Sequence, residues 1–195
     1  MNNWHPFSQA ALPVSRWRNG GGETREIISW PQGAAEFDWR ASIATIAADG
    51  PFSAFPGIDR SITLLSGEGV HLSDGGQLSH RLSTVGAPFA FSGDLSLSAH
   101  LLGGMTMDFN LMTRRHVCAP RVVVLRESGT VTAEKGGVLY AIKGEWQLPD
   151  GTRFCKGDGF WWSTSDRQAQ AQWAISSCAQ THTGQGLLLW AAVTD

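Results

Sequence analysis

Residues 62–75 (ITLLSGEGVHLSDG) read as an apolar strand, Gly-Glu, a short strand and then Leu-x-Asp-Gly. Residues 138–151 (VLYAIKGEWQLPDG) read the same way. A pattern that returns at long spacing restricts the fold more than any composition figure, because it calls for two β units of similar topology. The rest of the chain agrees. Runs rich in β-branched and aromatic residues alternate with Gly, Pro, Asp and Ser clusters, and no useful stretch carries the 3.6-residue apolar period of a helix. Many short strands at regular spacing predict a barrel or sandwich.

Strand signals fall at 24–28, 37–47, 60–66, 70–73, 95–102 and 105–113 in the first half. In the second they fall at 121–125, 130–133, 138–143, 168–175 and 186–193. Alternation in 37–47 sets Phe37, Trp39, Ala41 and Ile43 against Asp38, Arg40 and Ser42. Gly103-Gly104 reads as a two-residue hairpin loop. That register pairs Ala99 with Asp108 and Leu97 with Asn110, placing Thr106, Asp108 and Asn110 on an apolar face. A one-residue slip would put Met107, Phe109 and Leu111 there instead. Buried polar groups need partners or a purpose.

At 195 residues the chain can bury a sizeable core, and its formal net charge of −2 comes with no long run of either sign. This argues against a nucleic-acid or anionic-membrane partner. No apolar stretch is long enough to span a bilayer as a helix, and Met1 to Pro13 lacks a signal-peptide layout. Cys118, Cys155 and Cys178 are odd in number and widely spaced, as expected of free thiols in a cytoplasmic protein. Nine tryptophans supply apolar area to a β core or line pockets, and they admit a homodimer.

The stretch from Trp17 to Ile28 (WRNGGGETREII) breaks regular structure at three glycines and then resumes as a strand. An indole, two guanidiniums, an amide and a hydroxyl surround the break. Two readings stand: one wall of a site for a small anion, or a solvated turn. No phosphate-loop spacing is present.

Four segments resemble the HutD/Ves family of bacterial cupin-like proteins: WRNGGGETREI (17–27), FDWRASIATIAADGPFSAFPGIDRSITLL (37–65), PFAFSGD (88–94) and MDFNLMTRR (107–115). The resemblance implies an all-β double-stranded β-helix fold, a bicupin of two jelly-roll barrels. An N-terminal half (1–116) would carry the ligand pocket, closely packed with a C-terminal half (117–195). It also implies a link to histidine utilisation, with urocanate or formylglutamate as ligand. The Ves branch is associated with cold or stress response. The resemblance implies no established catalysed reaction.

Within these motifs the chemistry points to anion binding. Guanidinium forks suit carboxylates, and Arg18, Arg25, Arg40, Arg60 and Arg114 all fall inside them. Arg40 and Arg60 lie on strands and are the best pocket residues. Asn19, Thr24, Asp108 and Asn110 would add neutral or accepting contacts. Trp17, Trp39 and Phe55 would stack on a planar ligand or belong to the core. Salt bridges to Glu23, Asp38, Asp59 or Asp108 should absorb at least half of the arginines. His71, His80, His100 and His116 are scattered, without the HxH pair of a cupin metal site, so neither metal nor cofactor is expected. No nucleophile signature appears and no catalytic residue is assigned. The expected partner is a small anionic metabolite. The rival readings are a cupin isomerase or hydrolase using Asp108 or a histidine as acid/base, and a protein whose first barrel only packs.

Overall fold

The computed structural model describes residues 4–163, 170–178 and 185–195. In chain order the strands are β1 (His5–Ser8), β2 (Val14–Arg16), β3 (Gly22–Trp30), β4 (Trp39–Ile46), β5 (Gly50–Phe52), β6 (Ile58–Ser66), β7 (Val70–Ser73), β8 (Ser79–Leu82), β9 (Pro88–Ser92), β10 (Leu97–Leu101) and β11 (Thr106–Arg114). They continue with β12 (Ala119–Leu125), β13 (Gly129–Thr132), β14 (Gly136–Lys143), β15 (Glu145–Gln147), β16 (Arg153–Cys155), β17 (Asp158–Ser163), β18 (Gln172–Ser177) and β19 (Leu187–Thr194). The only helical element among the described residues is a 3₁₀ turn, Gln9–Ala11. No helix there is long and apolar enough to cross a membrane. All three cysteines are free.

The chain divides into two units. One runs from Pro13 to Ala119; the other combines the residues before Pro13 with Pro120–Asp195. The division thus falls a few residues after the expected boundary at 116/117. The N-terminal strand belongs with the C-terminal unit, because β1 pairs along β17, His5 opposite Trp161 and Ser8 opposite Asp158.

In the Pro13–Ala119 unit a six-stranded sheet (β2-β3-β4-β11-β6-β9) and a four-stranded sheet (β5-β10-β7-β8) enclose an apolar cluster. Ile46, Ile62, Leu64 and Phe91 come from the first sheet; Phe52, Val70, Leu72, Leu82, Leu97 and Ala99 come from the second. The other unit has a five-stranded sheet (β1-β17-β14-β19-β12) and a four-stranded one (β13-β18-β15-β16). Its interior is packed with Trp146, Trp162, Trp173 and Trp190 beside Leu139, Leu188, Phe154 and Phe160. Paired sheets around an apolar interior are what the short-strand pattern predicts, and the arrangement is the cupin-like jelly roll that the family resemblance implies.

The expected hairpin across Gly103-Gly104 does not form. β10 pairs with β5 and β7, whereas β11 pairs with β4 and β6, so the glycine pair carries the chain from one sheet to the other. Leu102 N–H is bonded to the Gly69 carbonyl (3.0 Å) instead of continuing a ladder with β11. The polar residues of β11 are nevertheless inward, placed by the ladder with β6 and not by a hairpin. Asp108 stands opposite Leu64 and Asn110 opposite Ile62, both residues of the enclosed cluster, so the polar residues of β11 do face inward. In the other unit the expected strand at 168–175 is β18, two residues long of it at the C-terminal side; positions 168 and 169 lie outside the described residues.

Candidate functional site

Strand alternation builds the site. On β4, Arg40, Ser42 and Ala44 share the inward face with Asn110 and Met112 of β11, their direct or near partners across the ladder. Trp39, Ala41 and Ile43 take the opposite face. On β6, Arg60 stands opposite Met112 on one side and Phe91 of β9 on the other. Thr24 of β3 completes the row beside Ala44.

The glycine stretch forms a wall above this row. Trp17 N–H is bonded to the Gly22 carbonyl (2.9 Å), and Gly21 takes Ala47 N–H on its own carbonyl (2.9 Å), clasping the turn to the end of β4. A side chain at Gly22 would collide with the Thr45 carbonyl and with the Trp17 ring, so only glycine lets the indole lie here. Trp17 Nε1 donates to Thr24 Oγ1 (2.8 Å), which fixes the ring at the rim. Asn19 Oδ1 accepts from Gly21 N–H (3.0 Å).

Between this wall, the β4–β11–β6 floor and the 51–55 segment lies a cavity of about 480 Å³. Of the residues that the sequence assigns to a site, Trp17, Asn19, Thr24, Arg40, Phe55, Arg60 and Asn110 line it. Three do not. Arg25 points to the other face and pairs with Glu23. Trp39 is on that other face too, 4% exposed. Asp108 is buried deeper than the cavity wall, at 0% exposure. Ser42, Ser53, Phe52 and Arg16 line the cavity without having been assigned from sequence. Ser42 could have been found, because it alternates in phase with Arg40.

Arg60 dominates the electrostatics. It is 3% exposed. Its guanidinium carbon lies 4.6 Å from the Phe52 ring centroid and 5.1 Å from those of Phe55 and Phe91. Nη1 donates to the Ser53 carbonyl (3.0 Å) and Nε to Asn110 Oδ1 (3.4 Å). No carboxylate among the described residues pairs with it. Burial lowers its pKa to about 10, opposed by the charge of Asp108. The other motif arginines differ. Arg40 Nε bonds Glu26 Oε2 (2.6 Å) and Arg114 reaches Glu36 (3.3 Å). Arg115 ties Asp59 to Asp94 (2.9 and 2.8 Å), bracing the ends of β6, β9 and β11.

The other unit has a wider concavity of about 660 Å³, lined by Trp4, Phe7, Phe154 and Phe160 with Asp150, Asp158 and Arg153. Arg153 there is two-thirds exposed and faces Glu145 (3.5 Å). Among the described residues no group of three or more His, Cys, Asp or Glu side chains is placed to hold a metal ion. His182 lies outside the described residues.

The family model HutD matches residues 9–179. A protein named Ves from Escherichia fergusonii is 46% identical over 145 residues, 74% of this chain and 75% of its own length. Two solved structures are similar over nearly the whole chain. A conserved protein of unknown function from Pseudomonas aeruginosa PAO1 has TM-score 0.82 at 25% identity, covering 99% of this chain and all of that one. HutD from Pseudomonas fluorescens SBW25, described as a formate condition, has TM-score 0.80 at 26% identity, covering 98% and 100%. Cupin-like structures at 9–12% identity share the fold alone.

Proposed function

The chain belongs to the HutD family, and from that premise we propose that it binds a small carboxylate metabolite in the cavity of its first jelly roll and serves as a sensor or regulator in histidine utilisation. Urocanate and formylglutamate are the proposed ligands. One observation carries the reading. Arg60 is a buried guanidinium with no carboxylate partner among the described residues, and it forms part of the wall of a cavity large enough for a small metabolite. An unpaired buried cation is costly, and a guest carboxylate supplies the missing charge. Three phenylalanine rings and Asn110 hold the guanidinium in place, so its remaining N–H groups are oriented before a ligand arrives. Trp17 and Phe55 offer flat faces at the rim for a planar ligand.

Asp108 does not reach the cavity, which weighs against the isomerase or hydrolase reading that would use it as acid/base. The 46% identity to Ves favours a second reading, in which the same pocket takes a carboxylate outside histidine catabolism. Calorimetric titration with formylglutamate, urocanate and formate tests both. Binding of the first two supports the histidine-pathway role. Binding of formate alone moves the assignment to the second reading. Arg60→Met should weaken whatever binds by about tenfold to a hundredfold, the worth of charge-assisted hydrogen bonds. No heat from any of the three with folded protein rejects the proposal.

A further inference from the structure

Carboxylate binding leaves one buried group without a role. Asp108 is 0% exposed, and neither of its carboxylate oxygens has a hydrogen-bond partner among the described residues. It lies on the inward face of β11, two residues from Asn110 and directly opposite Ala44, both of which are cavity wall.

The charges around it are few. Arg60 comes from β6. Arg40 of β4 and Glu26 of β3 share that sheet and are bonded to each other (2.6 Å). The opposing sheet presents Phe52, Val70, Leu72, Leu97 and Ala99, all apolar. His80, at the edge of that sheet, stacks on Phe89, and burial lowers its pKa. Arg60 is therefore the cation that holds Asp108 toward its charged form, without a direct contact between them. A guest carboxylate on Arg60 would put a second negative charge in the same water-poor cup.

We infer that Asp108 takes up a proton from solvent when a carboxylate binds at Arg60, so that the first jelly roll binds its anion and a proton together. Before binding the cup holds a guanidinium cation and a carboxylate. Afterwards it holds the same cation, the guest carboxylate and a neutral carboxylic acid, so its net charge is unchanged. Asp108 is a positioning residue that acts through Arg60 and does not touch the guest. The inference rests on the reading of the pocket given above. Burial raises the pKa of Asp108 to about 7 in the empty cup, with Arg60 opposing. The step therefore falls in the neutral range. Affinity is level below about pH 7, then falls by up to about tenfold per pH unit until the anion-bound pKa is passed.

The test is calorimetric titration of the full chain with formylglutamate, and separately formate, from about pH 6 to about pH 9 in buffers of different ionisation enthalpy. Neither probe titrates in that range. Wild type should absorb a substantial fraction of a proton per anion bound at about pH 8, and Asp108→Asn should absorb none while binding more tightly than wild type there. Binding without proton uptake overturns this inference and leaves the pocket assignment intact. So does uptake that persists in folded Asp108→Asn, or that disappears in His80→Gln. No binding of either probe at any pH rejects the pocket assignment and this inference with it. Should Asp108→Asn not fold, the ¹³C carboxyl titration of Asp108 in wild type decides. A midpoint raised by formylglutamate supports the inference, and an unmoved midpoint overturns it.

Discussion

The two jelly rolls are built on one plan and filled differently. In the first, sheet orders are β4-β11-β6-β9 and β5-β10-β7-β8; in the second, β12-β19-β14-β17 and β13-β18-β15-β16. Each strand of the second set is the counterpart of the strand eight earlier. Even the ladder irregularity recurs, at Met107/Asp108 against β6 and at Ala141/Lys143 against β19. Setting Gly67-Glu68 on Gly144-Glu145 then puts Arg60 on Gly137, and the ladders put Asn110 on Trp190 and Asp108 on Leu188. Phe91, opposite Arg60, falls on Trp162, opposite Gly137. A side chain at Gly137 would collide with the Trp162 ring, so the second cup spends on an indole the space in which the first holds a guanidinium. The backbone plan is shared; the cups differ at three inward positions, Arg60, Asn110 and Asp108 in the first against Gly137, Trp190 and Leu188 in the second.

Trp162→Ala should have the largest effect. The indole is 1% exposed, sits among Trp4 and Trp173, and donates Nε1 to the Ala133 carbonyl (2.7 Å). Its loss should cost about 3–5 kcal/mol in urea unfolding. Phe91→Ala in the first cup, beside an open cavity that water can fill, should cost about 2 kcal/mol. Equal costs would mean that the two interiors are packed alike and that the cavity is not a real difference between them.

Asp108 supplies the next effect, in pH dependence. Its folded pKa of about 7 lies above the ordinary 3.8. Below about pH 4 the folded and unfolded chains both carry the proton, and the favourable contribution is fully present. Between there and about pH 7 the unfolded chain releases it while the folded chain keeps it. Stability is lost by about 1.4 kcal/mol per pH unit, up to about 4 kcal/mol in all, and the loss is complete above the folded pKa. Asp108→Asn should lack this slope, so its stability relative to wild type should rise from pH 4 to 7. Parallel pH profiles from denaturant unfolding would show that the first cup is no more charged inside than the second.

Much of this contrast was legible in the chain. The repeat and the turn signals announce two β units, and alternation in β4 separates Arg40 and Ser42 from Trp39 and Ile43 correctly. What sequence could not show was pairing. Gly103-Gly104 has the local chemistry of a hairpin loop, but the sheet partners of β10 and β11 lie far along the chain, Ser98 opposite Ser73 and Met107 opposite Ser66, and long-range ladders outweigh a local turn preference. The same limit explains Arg25, whose motif suits a pocket but whose strand phase turns it toward Glu23 on the other face. It explains Asp108 as well. The residue is inward as expected, yet it does not line the cavity that Asn110, two positions along the same strand, does.

The smallest effect separates an arginine of the first cavity from an arginine of the second unit's surface concavity. Arg40, paired with Glu26 at 2.6 Å, lines the first cavity; Arg153, facing Glu145 at 3.5 Å, lines the second concavity. Glu26 is 45% exposed in its side chain and Arg153 is 66% exposed, so water screens both pairs. Arg40→Met and Arg153→Met should each change stability by less than about 1 kcal/mol. Formylglutamate affinity should distinguish them. Arg40 shares the cavity wall with Arg60, so its removal should weaken binding by about threefold to tenfold, less than at buried Arg60 because a solvated charge acts weakly. That weakening should shrink with added salt, as expected of a screened rim charge. Arg153→Met should leave the affinity unchanged, because the proposed carboxylate site is at Arg60, whose counterpart in the second cup is a glycine. If Arg153→Met weakens binding as much as Arg40→Met does, the second cup takes part in recognition and the division of labour drawn between the two interiors is wrong.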